Sequence, residues 1–315
     1  MANIIPLELD THFAEGKVNA FLVKGETVTL VDTGNPGKKA YDQLREKMLE
    51  HGVSLRDLDS IVLTHIHDDH AGAISFIQEE AELPVFVHEQ ARGWINAWMD
   101  VFERTQLFFH QFLSSCGADP EKHIVKRRFR EEKWEKVSFL KDGAVIPLGG
   151  VDFEVVYVPG HSQSDILLWN RETGEAIAGD HLLKSFSVNA FIEPPNPGEA
   201  ERQKPLLQYR NSLERVKKLP LATIFPGHGD SFTGHDLLIE KRFQEQEKRC
   251  NQILHILSDG PKSIFAICQV MYPRLQGSTI YLGLSQIQGH LDLLEDRNQV
   301  FHKHQTETLI TYQLT

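Results

Sequence analysis

Apolar and β-branched residues alternate with polar ones through residues 17 to 33, in two runs, KVNAFLVKG and TVTLVDTG, with a short turn at Gly25 and Glu26. The pattern predicts two strands paired as a hairpin. Residues 39 to 51 place Tyr41, Leu44 and Met48 at helical spacing, and SIVLTH then reads as a short apolar strand running into a polar loop. The same grammar recurs at PVFVH (84 to 88), FEVVYVPGHS (153 to 162), AIAGDH (176 to 181) and TIFPGHGD (223 to 230). Strands interleaved with helices predict an α/β layer architecture. Between the strands at 84 and 153, Trp94, Trp98, Phe102, Phe109 and Leu113 keep one apolar stripe at helical spacing. Two readings stay open for it: a helix that closes the core, or a lid that gives a cleft an apolar wall.

From about Gly234 the pattern turns to helices alone. HDLLIEKRFQEQEKRCNQILHILSDG predicts one long helix stopped by Gly260 and Pro261, Ser263 opens a second, and STIYLGLSQIQGHLDLLEDRN supplies a third. VFHKHQT and ETLITYQLT follow as a closing hairpin, so the tail reads as a small winged-helix-like domain. The expected division is therefore residues 1–234, with a helical insertion at about 89–141, followed by residues 235–315.

Composition narrows the class. At 315 residues, 41% hydrophobic and 24% charged, the chain is an ordinary globular one with enough apolar residues for a sizeable core. It shows neither a basic leader with an apolar run nor an apolar stretch long enough for a bilayer, which gives the expectation of a cytoplasmic protein without membrane association. The three cysteines, Cys116, Cys250 and Cys268, lie too far apart for a thiolate metal site and are expected as buried thiols. The net charge of −11 is uneven: residues 241 to 315 carry 8 Lys/Arg against 7 Asp/Glu, leaving 25 against 37 in the rest. An acidic body disfavours bulk polyanion binding. The local exception is residues 121 to 141, with Lys126, Arg127, Arg128 and Arg130, read first as a solvated face and second as a substrate-facing patch.

The chemistry concentrates in THIHDDH, residues 64 to 70. A turn after a strand lets His65, His67, Asp69 and His70 converge, and imidazole and carboxylate are ligands of choice for zinc that also suit iron and manganese. Chance would produce H-x-H-x-D-H in roughly two of a thousand chains of this composition, so a surface histidine cluster is a poor account of it. One loop cannot complete two metal spheres. The other strand ends offer His161 in PGHSQSD, Asp180 in AGDH and His228 in PGHG, each preceded by a glycine. Asp68 and His181 adjoin these residues as candidate proton relays, whereas His51, His88, His110, His302 and His304 lack partners at ligand spacing.

These residues resemble the metallo-beta-lactamase superfamily, with its H-x-H-x-D-H loop followed by a lone histidine, a bridging aspartate and a last histidine. The resemblance covers residues 17 to 230. It implies a four-layer αββα sandwich carrying two divalent metal ions, zinc first with iron or manganese as alternatives, at one edge of its two sheets. By motif, His65, His67 and His161 would hold one ion, Asp69, His70 and His228 the other, and Asp180 would bridge them. Asp32 in VDTG matches a carboxylate that orients a ligand histidine. GHSQSD, GDHLL and PGHGD with the tail resemble the glyoxalase II-like and lactamase-β-2-like branch, in which some members hydrolyse small thioesters and others cut single-stranded RNA.

The expected activity is that of a binuclear hydrolase in which a metal-bridging hydroxide attacks an ester, thioester or lactone, with Asp180 and Asp69 as the catalytic carboxylates. The alternative is a metal-dependent endoribonuclease that uses the basic segment at 121 to 141. A DNA-binding sensor ranks third, because the helix STIYLGLSQIQGHLDLLEDRN offers Gln286 and Gln288 beside Asp292, Glu295 and Asp296 and a single Arg. His67 stands where redox diiron members carry a carboxylate. The expected partner is a small-molecule substrate, with RNA second and a homodimer as the possible assembly.

Overall fold

The computed structural model describes residues 2–11, 16–123, 133–196 and 198–315. The basic cluster Lys126, Arg127, Arg128 and Arg130 lies outside the described residues. The chain divides into two compact units that alternate along the sequence. Unit 1 is Met1–Asn96, Glu132–Val188 and Ser212–Leu238; unit 2 is Ala97–Glu131, Asn189–Asn211 and Ile239–Thr315.

Unit 1 holds two sheets. The first contains β1 (Asn3–Leu9), β2 (Val18–Lys24), β3 (Val28–Val31), β4 (Ser60–Val62), β5 (Val85–His88) and β6 (Val137–Leu140), ordered as numbered. β1, β2 and β3 pair antiparallel, and β3 to β6 run parallel. The second contains β7 (Val145–Leu148), β8 (Val151–Tyr157), β9 (Ile166–Trp169), β10 (Glu175–Gly179) and β11 (Thr223–Pro226), in the order β11-β10-β9-β8-β7. Only β10 and β11 pair in parallel. β2 is buried along nearly its whole length because both its faces are covered, which explains its near-continuous apolar run. β1 goes unannounced in the sequence pattern: Pro6 interrupts it, a residue that an edge strand tolerates because it forgoes only one ladder donor.

The inner faces of the sheets supply one core. Phe21, Val31 and Val62 from the first pack with Phe153, Val155, Leu168 and Ile177 from the second. On the outer side of the first sheet, α1 (Lys38–Glu50) packs on β1 and on α3 (Ile74–Glu80), burying Tyr41, Leu44 and Met48. Two short helices, α2 (Asp68–Ala71) and α4 (Arg92–Ile95), leave the ends of β4 and β5. Sheet faces backed by helices are the layered α/β architecture that the alternating pattern predicts.

Unit 2 contains α5 (Trp98–Cys116), α6 (Pro120–His123), the first half of α7 (Pro205–Val216), most of α8 (His235–Leu257), α9 (Ile264–Met271) and α10 (Ile280–Asp296). A three-stranded sheet of β12 (Lys262–Ser263), β13 (Val300–His304) and β14 (Ile310–Leu314), ordered β12-β14-β13, completes it. The aromatic stripe of the insertion is broken at Asn96 and Ala97, so Trp94 belongs to α4 and the other four residues to α5. Ser263 caps α9 by accepting from the amide of Ala266 at 3.2 Å. Arg202 reaches the buried Asp292 of α10 through two donors at 2.8 and 2.6 Å. The three cysteines are buried and free. Among the described residues no helix is long and apolar enough to cross a membrane.

The shared core yields a differential test. Phe153→Ala, at a site 1% exposed, is expected to destabilise unit 1 by about 3–5 kcal/mol. Val145→Ala on the adjacent strand, where the side chain is 58% exposed, should stay within about 0.5 kcal/mol of wild type. Chemical denaturation of the two variants measures the contrast, and equal losses would refute a core formed between the sheets.

Candidate metal centre

The THIHDDH segment straddles two conformations, and this makes it a site. After β4 the chain bends at Thr64, and α2 begins with His67, in extended conformation, as its N-cap. The rings of His65 and His67 stand 4.6 Å apart. The helical turn then brings Asp69 and His70 back over them. His161 follows the end of β8, Asp180 follows β10, and His228 stands two residues past β11. Every contributor therefore leaves a strand end of unit 1.

The structure brings all seven expected side chains together. His65, His67 and His161 form one group, Asp69, His70 and His228 a second, and His65, His70 and Asp180 a third that joins them, each with its ligand atoms within 4.8 Å. Asp180 is central. Its Oδ1 lies 3.3 Å from Nε2 of His70, and its Oδ2 lies 3.5 Å from Nε2 of both His161 and His228. Oδ2 of Asp69 is 3.4 Å from Nε2 of His228 and 3.9 Å from Nε2 of His70. Nδ1 of His67 faces Nε2 of His161 at 3.0 Å.

Surrounding groups fix which nitrogen each ring turns inward. Nδ1 of His228 donates to the carbonyl of Lys17 at 2.8 Å, so Nε2 keeps its lone pair for the centre. Nδ1 of His70 donates to Oδ2 of Asp32 at 2.9 Å, which places that carboxylate where the sequence resemblance expects it. Asp32 is wholly buried and sits just past β3 with φ +60°. Asn19 of β2 secures the last loop: its amide donates to Gly227 O at 2.7 Å and its side chain to Pro226 O and Gly229 O at 3.0 and 2.8 Å. Gly227 is required by space. A Cβ there would lie 2.3 Å from Oδ1 of Asp180 and 2.7 Å from Cε1 of His70. The tight turn expected at this glycine is instead a close approach.

These residues fit a bound cation. Nε2 of His65, His70 and His228 and Oδ1 of Asp180 are buried without a hydrogen-bond partner in the protein; the 3.3 Å approach of His70 to Asp180 lacks hydrogen-bond geometry. Leaving one such group unsatisfied costs about 1–3 kcal/mol, and four of them in two adjoining groups call for bound cations. The electrostatics agree. Burial works against the charged form of every group here. It is the largest influence on His65, which with its imidazole neighbours is pushed well below the usual histidine range. Burial opposes the charge on His70 and His228 too, yet nearby carboxylates prevail, holding His70 well above the usual range and raising His228 to about 10. Burial likewise acts against Asp69 and Asp180, but the imidazoles lower Asp69 to about 2 and hold Asp180 well below the carboxylate range. The centre favours anionic carboxylates that attract positive charge.

The flanking candidates differ from one another. Asp68 is exposed, whereas His181 is fully buried and pushed down to about 3 by burial and then by His161. His88 stacks on Tyr157 at 4.0 Å, in keeping with a structural place. Sequence reasoning missed the Lys17 carbonyl, Asn19, Asp165 and Thr64. Thr64, directly before His65, was the most discoverable of them; a backbone carbonyl leaves no signal in residue type.

Comparison with known proteins agrees with this geometry. The profile of the Metallo-beta-lactamase superfamily matches residues 14–228. The chain is 32% identical over 297 residues to the probable metallo-hydrolase YqjP of Bacillus subtilis, covering 93% of this chain and 92% of that one. It is 27% identical over 232 residues to the acyl-coenzyme A thioesterase MBLAC2 of Bos taurus, covering 69% of this chain and 74% of that one. The crystal structure of a metallo-beta-lactamase family protein from Thermus thermophilus superposes with a TM-score of 0.84 at 24% identity, over 99% of this chain and 98% of that one. With the matched profile spanning the whole histidine and aspartate cluster, the chain belongs to the metallo-beta-lactamase superfamily.

Proposed function

We propose that the protein is a metal-dependent hydrolase that holds two divalent ions, zinc foremost, and cleaves an ester, thioester or lactone of a small-molecule substrate. The observation that carries this reading is the placement of Asp180, with its two carboxylate oxygens turned to histidines of both three-residue groups. His65, His67 and His161 would hold the first ion and Asp69, His70 and His228 the second, with Asp180 shared. Two such ions lower the pKa of water towards neutrality and polarise the bond to be cleaved. The chain's own contribution is positional. Asp32 and the Lys17 carbonyl set the ring tautomers of His70 and His228, and Asp180, held in its anionic form by the surrounding imidazoles, is available to both ions.

A thioester is the first substrate class to test, because a relative that aligns with 69% of this chain at 27% identity bears the name acyl-coenzyme A thioesterase. Phe186, whose ring centre is 6.1 Å from that of His228, supplies apolar surface beside the second group. The winged-helix-like reading of the tail is supported by the order of α8, β12, α9, α10 and the β13–β14 hairpin. A DNA-reading role finds no support in α10: its Gln288 is buried, donating to Asp292 at 2.8 Å and to Tyr312 at 3.0 Å. Among the described residues no observation favours the ribonuclease reading.

Chelation should abolish hydrolysis of a short acyl thioester and added zinc should restore it. The rate should barely change with ionic strength, whereas cleavage of a short RNA that falls steeply with salt would favour the nuclease instead. Asp180→Asn is expected to lower turnover by about 10²–10³-fold and to weaken zinc binding. Near-normal turnover with full metal content would remove Asp180 from its proposed role. A third expectation follows from His228, raised to about 10 from 6.5. Below that value a proton occupies the nitrogen that an ion needs, so zinc affinity should rise with pH up to about 10. Adding zinc to the metal-free protein in weak buffer at about pH 8 should then acidify the solution. Zinc uptake without proton release would show that His228 is already neutral at that pH in the metal-free protein.

A further inference from the structure

The assigned role of Asp32 ends at His70, yet the hydrogen bonds continue. Oδ1 of Asp32 accepts from the backbone amide of Thr64 at 2.8 Å, and Oδ2 accepts from the Thr64 hydroxyl at 2.7 Å. The same hydroxyl lies 3.1 Å from Nδ1 of His65. A carboxylate has no hydrogen to give, so the Thr64 hydroxyl hydrogen is directed to Asp32. Towards His65 the hydroxyl oxygen can then only accept. Nδ1 of His65 must therefore carry the ring hydrogen, and Nε2 is left as the lone pair. That Nε2 is one of the buried atoms without a partner, which agrees with this direction of the chain.

We propose that Thr64 is a positioning residue whose hydroxyl extends the hold of Asp32 to His65, so that one buried carboxylate orients a histidine in each three-residue group. The rival orienter of His65 is Asp165, but its Oδ1 stands 3.6 Å from Nδ1, beyond hydrogen-bond reach. Its Oδ2 accepts instead from the amide of Ser162 at 2.9 Å and organises its own loop. The Thr64 rotamer is held from the other sheet as well. A Cβ on Gly179, which has φ +48° and precedes Asp180, would lie 2.7 Å from the Thr64 hydroxyl and 2.8 Å from its Cβ. The Thr64 carbonyl accepts from the amide of Ile166 in β9 at 2.9 Å. Asp32, Thr64, His65 and His70 are all at most 1% exposed, so water does not compete for these bonds.

This inference rests on the two-ion reading of the centre, and the experiment separates the two. Zinc binding to the full-length protein is measured by competition with a chromophoric chelator, alongside circular dichroism to confirm folding. Thr64→Val keeps the shape and removes the hydroxyl. It should weaken one of the two ions by about 10–100-fold and leave the other near wild type. Thr64→Ser should restore the lost affinity, and Asp32→Asn should weaken both ions. Wild-type affinity for both ions in Thr64→Val, equal loss of both, or failure of Thr64→Ser to restore binding would each overturn the relay. Should Thr64→Val not fold, Thr64→Ala is read by the same criteria. If the wild-type protein takes up a single ion, the two-ion reading fails by itself, and the relay then stands only if Thr64→Val weakens that ion.

Discussion

Three carboxylates and five imidazoles meet in a nearly water-free part of unit 1, and most of its architecture serves to keep them there. Burying ionised carboxylates is strongly unfavourable unless positive charge accompanies them. In the metal-free protein the nearby carboxylates hold His70 and His228 towards the protonated form, and a divalent ion would bring the positive charge in the proton's place at the inward nitrogens. On the proposed reading, the same arrangement that favours a bound cation would let that cation act as a Lewis acid. Stability and chemistry therefore press for the same occupant.

The two sheets meet that demand by a division of labour. The first sheet delivers the THIHDDH turn and Asp32 from adjacent parallel strands, while the second delivers His161, Asp180 and His228 from three of its own. Asn19 and the carbonyl of Lys17, at the start of β2, hold the last of these loops to the first sheet. Register errors between the sheets would separate His228 from Asp69, so the polar contacts at this edge complement the apolar core beneath. Gly227 shows how narrow the fit is, since even a methyl group would meet both Asp180 and His70.

The sequence exposed the chemistry more fully than the fold. All seven clustered side chains were legible because each stands in a short motif at a predicted strand end, where backbone geometry constrains the direction of a side chain. β2 to β5, β8, β10 and β11 were legible for the same reason: apolar runs bounded by polar turns. The edge strand β1 was hidden by Pro6, and β6, β7 and β9, as long as β3, β5 and β11, lack a ligand motif at their ends. The grouping of residues 97 to 131 with 189 to 211 and the tail in one unit rests on long-range contacts such as Arg202 to Asp292, which no local pattern records. Among the site's supports, those acting through side chains were detectable in principle. Thr64 was passed over because a threonine at a strand end is ordinary until its hydroxyl is found between a carboxylate and an imidazole.

Such a centre constrains the reaction much more tightly than the substrate. The groups that would hold ions touch only the scissile bond and the atoms beside it, so one set of seven side chains suits thioesters, lactones and phosphodiesters alike. Selection among them must come from residues that meet the remainder of the substrate. Phe186 lies in the loop that follows Asp180 and His181, with its ring near His228 of the second group. Within the proposed function, an apolar ring there would suit a substrate with hydrocarbon near its scissile carbonyl. On that proposal, the ring is a reason on the chain itself, apart from any relative's name, to test an acyl derivative before a nucleic acid.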